Sequence, residues 1–123
     1  MTDISTVARA QSLLDELAAA RADAVRWDFD LPSDAAYAQA KSLLRRLCAS
    51  SVPTDSVEVA IGGDGDIEIS VAPGDELVTI TISYTGGRVQ MIVQNLATGA
   101  IIAPSTEATN DQITRRIERN RIK

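Results

Sequence analysis

Gly62-Gly63-Asp64-Gly65-Asp66-Ile67-Glu68 is the stretch of this 123-residue chain that looks most like a binding loop. Carboxylates at 64, 66 and 68 could suggest calcium. An EF-hand loop needs glycine at its sixth position, for a sharp turn, and a bidentate glutamate at its twelfth. Counted from Asp64, those places hold Ile69 and Asp75. The flanks alternate like strands, so the stretch reads as a hairpin turn. It fails equally as a dinucleotide loop, because the third glycine of G-x-G-x-x-G would fall at Glu68.

Cys48 is the single cysteine, preceded closely by Arg45 and Arg46. A nucleophilic thiolate would want a base, and the chain has no histidine. Its place late in a helix puts it at the negative end of the dipole, which opposes a thiolate, so it reads as a structural cysteine. One cysteine and no histidine also exclude an intrachain disulfide, a His-dependent triad and a His or multi-Cys metal site. Asp28 and Asp30 flank Phe29, and Glu68 could face Glu58 or a threonine across a ladder. No spacing drives these carboxylates into a dry cleft, so each reads as solvated rather than as an acid–base pair. No catalytic residue, metal or cofactor is therefore assigned, and the expectation is a protein that is not an enzyme.

Aromatics are scarce: Trp27, Phe29, Tyr37 and Tyr84 are all of them. Trp27 and Phe29 sit together on a linking segment. Aromatics are enriched at binding hot spots, but they also plug gaps between helices and a sheet. For Trp27 the packing reading is favoured, and Phe29 is left more open to a partner. Both are carried as candidate partner-binding residues.

Charge is unevenly spread. Residues 1–111 hold 16 acids against 7 bases, a net of −9, and residues 112–123 hold one acid against five bases, a net of +4. An acidic body disfavours nucleic acid as the main partner, because phosphate contacts dominate that affinity. Arg115, Arg116, Arg119, Arg121 and Lys123 form a basic arm that could touch nucleic acid or an acidic partner. Against this stands an end helix docked on the protein's own acidic body by Ile113 and Ile117, or a solvated tail. The acids are too scattered for the dense stripe a nucleic-acid mimic requires.

The elements that must place these residues follow from periodicity. Composition changes near Pro53, from Ala, Leu and Arg to Val, Ile, Thr and Gly. Before it, Val7, Ala10, Leu14 and Leu17 make the stripe of a helix from about Ser5 to Val25. Ser33 is an N-cap for a second helix ending near Ala49, with Tyr37, Ala40, Leu44 and Leu47 as its stripe. After Pro53, runs at 57–61, 67–71, 78–84 and 89–94 alternate apolar and polar. Gly62–Gly65, Pro73-Gly74-Asp75 and Gly86-Gly87 punctuate them. That pattern predicts an antiparallel meander with one buried face. The meander has four strands, or five if Ala100 to Ala103 pairs as a short last one, the two N-terminal helices cover its buried face, and Asp111 opens a last helix.

The expected fold is one α+β domain: a helical half at 1–52, an antiparallel sheet at 53–103 and a basic helix at 111–123. The start of the chain shows no basic stretch leading into an apolar one, and no run is long enough for a membrane span, so the expected place is the cytoplasm.

Trp27-Asp28, Pro32, Ala40, Leu43-Leu44, Leu47, Pro53 and Gly65-Asp66-Ile67-Glu68-Ile69 resemble a type of small uncharacterised bacterial α+β protein. That type has a Trp-Asp-Gly segment, a helix, a proline-marked link and a D-G-x-I turn into an antiparallel sheet. The likeness spans about residues 25 to 95. Phe29 stands where the type has glycine, and the aromatic that often follows its second strand is absent. The resemblance implies an α+β fold and an interaction or immunity-like partner rather than an enzyme.

Taken together, the residues point to a non-enzymatic protein-binding module of inhibitor, immunity or adaptor kind. A homodimer formed by strand-edge pairing is a further expectation. Gln90, Ile92 and Gln94 of the fourth strand are the candidate surface for that pairing. The alternative is a nucleic-acid-associated protein acting through the basic arm.

Overall fold

A computed structural model describes residues 4–49 and 56–122, with side chains given for 8–49 and 56–119. The architecture is the α+β arrangement expected from the sequence. Helices α1 (Ile4–Arg26) and α2 (Asp34–Ala49) precede five strands: β1 (Val57–Ile61), β2 (Ile67–Val71), β3 (Glu76–Ile82), β4 (Val89–Asn95) and β5 (Ile101–Glu107). Helix α3 (Asn110–Ile122) closes the chain.

The strands lie in chain order, each antiparallel to the next. One face of this meander carries Ile67, Ile69, Val71, Val78, Ile80, Ile82 and Val93, all inaccessible to solvent. Strict period-two alternation makes such a face, since successive side chains point to opposite sides. The helices cover it with Leu13 and Leu17 of α1 and Leu43, Leu44 and Leu47 of α2. Ile113 and Ile117 of α3 enter the same core. The other sheet face carries Glu58, Glu68, Ser70, Thr79, Thr81 and the β4 glutamines.

Several element ends differ from the sequence reading, most of them by one or two residues. Strand β3 stops at Ile82, so Tyr84 does not continue its buried row but sits exposed in the β3–β4 turn. Strand β5 runs on from Ala103 to Glu107 through Pro104. An edge strand tolerates proline, because one side of its backbone needs no ladder donor. A bulge between Met91 and Gln94 accommodates the longer pairing. The last helix begins one residue earlier than expected, at Asn110.

Helix α2 starts as its sequence demands: Ser33 Oγ accepts from the Ala36 amide at 3.2 Å. The β3–β4 turn then approaches this helix start. Gly86 has φ +78°, and a Cβ placed there would lie 2.7 Å from the Ala36 nitrogen and 2.8 Å from the Ala35 carbonyl carbon. Gly86→Ala is expected to destabilise the protein by about 2–4 kcal/mol, from the left-handed backbone plus the clash. Gly87→Ala, whose new methyl would meet nothing closer than 3.5 Å, should stay within about 0.5 kcal/mol. Chemical denaturation of the two variants measures the difference.

Candidate functional site

The end of α1 decides where the two linked aromatics go. The Phe29 amide donates to the Ala24 carbonyl at 2.9 Å and the Asp28 amide to the Val25 carbonyl at 3.2 Å. Asp28 takes φ 59°. This is a Schellman stop, with an aspartate at the left-handed position that glycine usually holds. Asp is among the few side chains that visit that region readily. The stop reverses the chain and leaves Trp27 67% and Phe29 40% exposed. The packing reading of Trp27 is thereby corrected: the helix–sheet interface is filled by aliphatic side chains, and Trp27 lies outside it.

Both rings line a groove of about 500 Å³ between the second half of α1 and the outer edge of β1. Ala19, Ala20 and Ala24 form the helix wall, and small side chains there leave the space open. Phe29 also rests near the backbone of Gly63 in the β1–β2 turn. The charged lining residues are Glu16, Asp23 and Glu58, all acidic and all exposed. Asp23 is paired with Arg26 one turn along the helix.

The sheet side of this groove is β1, from Glu58 to Ile61. Gly62 donates to the Asp66 carbonyl at 2.9 Å and Ala72 to the Ser56 carbonyl at 3.1 Å. These bonds flank the β1–β2 ladder and set its alternation. Residues 58 and 60 therefore exchange bonds with β2, while Val57, Val59 and Ile61 turn their amides and carbonyls away from it.

Gln90, Ile92 and Gln94 are brought together on the uncovered sheet face, but not at an edge. Strand β4 is paired by β3 on one side and β5 on the other. The expectation of edge pairing through β4 is corrected accordingly, since its backbone groups already serve two ladders. The edges are β1 and β5. The aromatic pair and the glutamines thus belong to separate surfaces.

The described part of the basic arm belongs to helix α3, which is docked by Ile113 and Ile117. Arg116 donates from Nη2 to Glu76 Oε2 at 3.2 Å, and Glu76 as a whole is only 5% exposed. Glu76 shares the inward parity of Val78, Ile80 and Ile82, a signal present in the sequence but masked there by the adjoining Pro73-Gly74-Asp75 turn. Asp111, at the start of α3, pairs with Arg46 of α2. Arg115 and Arg119 remain exposed, one turn apart. The side chain of Arg121 and all of Lys123 lie outside the described residues.

The remaining chemical candidates are accounted for locally. Asp64 Oδ1 accepts from the Asp66 amide at 3.2 Å, and Asp66 Oδ1 from the Tyr84 amide at 2.9 Å, so both acids brace turns. Glu68 faces Thr81 and Ala60 across its ladders, and Glu58 faces Ser70. Among the described residues, no three His, Cys, Asp or Glu side chains are grouped to hold a metal ion. Cys48 is buried, and burial pushes its thiol above the usual range against an opposing pull from Arg9. No described helix is long and apolar enough to cross a membrane.

In comparisons with known proteins, no family model, no curated protein and no solved structure matches this chain.

Two outcomes test this account of the site. Arg116→Ala should destabilise by about 2–4 kcal/mol, because it removes a paired cation from a buried carboxylate, whereas Arg115→Ala should change stability by less than about 0.5 kcal/mol. A double-mutant cycle with Glu76→Gln should show coupling for Arg116 and none for Arg115. For Cys48, the folded state holds the proton more tightly than the unfolded chain does. Stability contributed by this group is therefore complete below the ordinary thiol value of about 8.5 and declines as pH rises through the raised one. Melting temperature should fall above that pH, and fall less in Cys48→Ala.

Proposed function

We propose that this chain is a non-enzymatic protein-binding module, of the inhibitor, immunity or adaptor kind, and that it engages its partner through the α1–β1 groove. The observation that carries the reading is the exposure of Trp27 and Phe29 together at the mouth of a groove. Tryptophan is among the residues that dominate binding energy when an interface closes over them. An aromatic pair exposed by a formed helix stop, rather than by a floppy tail, is already placed for that role, so less ordering cost attends association.

The positions of the other candidates support the same reading. The Cys48 thiol is enclosed, and Asp28 and Asp30 project to solvent on either side of Phe29. Arg116 is engaged with Glu76, which leaves fewer cations of the arm free for phosphates.

Photo-crosslinking in living cells tests the proposal. A crosslinker at Ala19, on the groove wall, should yield a discrete protein adduct that Trp27→Ala removes. The same group at Thr79, on the uncovered sheet face, should not yield that adduct. Trp27→Ala should leave the melting temperature nearly unchanged, because its ring packs little within the fold. A protein adduct from Thr79 and none from Ala19 would move the interface to the open sheet. Adducts only to nucleic acid, lost when residues 112–123 are deleted, would establish the basic-arm alternative.

A further inference from the structure

From the backbone of β1 and the charge around it, we infer that the groove takes an extended, cationic segment of a partner protein, added to the sheet as a sixth strand beside β1. The inference rests on the protein-binding reading and specifies its mode and its chemistry.

Three features of the groove converge on this occupant. Val57, Val59 and Ile61 direct backbone donors and acceptors outward along a strand of five residues, about 17 Å long at the usual rise. Such an edge is satisfied by water or by another strand, and strand addition is a recurring mode of peptide recognition. Helix α1 runs along the same edge, so an added strand would lie between β1 and the wall of Ala19, Ala20 and Ala24. The alanines leave room for its side chains on that side. Trp27 and Phe29 offer apolar surface at the end nearer the β1–β2 turn.

Charge selects the class of segment. Glu16, Asp23 and Glu58 are the charged groups lining the groove. Arg26 is paired with Asp23. Glu58 lies on the open face of the sheet and Glu16 and Asp23 on the helix side, so a strand alternating cationic and apolar residues meets carboxylates of the rim in either phase, with its apolar positions against the alanines when its cations face Glu58. A second copy of β1 would instead bring its own Glu58 against the same rim, and like charges close together oppose pairing.

The test uses a capped, fluorescent eight-residue peptide alternating arginine and valine, read by anisotropy against the full chain. It should bind, and binding should weaken as salt rises. A matching glutamate–valine peptide should not bind. Val59→Pro removes an outward amide without touching a bond to β2, and should weaken binding at least tenfold while the protein stays folded by circular dichroism. Arginine–valine peptides N-methylated at every second residue, in both phases, supply the same control without altering the protein. At least one phase should lose binding at unchanged charge. Glu16→Lys with Glu58→Lys should exchange the preference from the arginine to the glutamate peptide.

Equal binding of both N-methylated forms would overturn strand addition and leave only charge attraction. Equal binding of the glutamate peptide would overturn the cationic assignment. If no peptide binds although Ala19 crosslinks to a protein, this inference fails and the general protein-binding reading stands. Peptide binding by the strand criteria, with no protein adduct from Ala19, would support the mode of recognition and count against the groove as the interface used in cells. Sedimentation that shows a dimer abolished by Val59→Pro would replace the cationic segment with a second copy.

Discussion

The link between α1 and α2 is tied to two glycine-bearing turns of the sheet, and the placement of everything else depends on that seam. The Asp30 amide donates to the Gly63 carbonyl at 3.2 Å, and the Ser33 amide to the Tyr84 carbonyl at 2.7 Å. The first bond holds the link to the β1–β2 turn and the second to the β3–β4 turn. Contact at this range is possible because a side chain is missing where the backbones meet. A Cβ on Gly65 would stand 3.1 Å from the Asp30 carbonyl oxygen. A helical pair resting on a sheet by apolar contact alone could slide, because burial is proportional to area and indifferent to direction. Directional bonds at one end of the sheet fix the register of helices on strands. They also carry Phe29 to the backbone of Gly63, which makes the aromatic groove a consequence of the same seam.

Much of this is legible in the sequence, for reasons that differ by element. The strands announce themselves because period-two alternation and glycine turns are local signals, and a meander needs nothing beyond neighbours in the chain. The cap at Ser33 and the docking of Ile113 and Ile117 are local signals too. Trp27 is harder. Its exposure depends on Asp28 adopting a left-handed backbone, which aspartate permits but does not demand. A residue scale that places aromatics inside therefore gives the opposite answer. The β4 surface turns on a single question, whether the meander has four strands or five. With four, β4 would be an edge; Pro104 makes the last run look short, and its continuation to Glu107 encloses β4. The outward amides of β1 depend on ladder parity, which follows from the turn hydrogen bonds and not from residue type.

The charge asymmetry also takes on a structural meaning. An end of +4 on a body of −9 looks like a detachable arm, yet the two are joined at specific places. Arg46 meets Asp111 at the start of α3, and Arg116 reaches into the core margin to meet Glu76. The first pair is exposed, and such pairs contribute little to stability. The second is enclosed, and its value lies in the cost of separating it rather than in any gain over an apolar substitute. Glu76 on the inward face carries a desolvation cost that the Arg116 guanidinium of α3 offsets. Ile113 and Ile117 join the core, and the Arg116–Glu76 pair ties the same helix to the start of β3.

The two edges of the sheet are managed differently, and the difference bears on which one receives a partner. Strand β5 is long and carries Ile101 and Ile102 exposed, but Pro104 and the bulge against β4 interrupt its hydrogen-bonding row. Such interruptions are a common way of discouraging unwanted pairing at an edge. Strand β1 has no proline and no bulge against β2. Its guard is charge: Glu58 on the strand, with Glu16 and Asp23 on the helix opposite. Interruption rejects every incoming strand alike, whereas charge rejects only those of the same sign. An edge guarded in that second way is closed to copies of itself and open to a strand of opposite charge, and this is the edge beside which Trp27 and Phe29 stand.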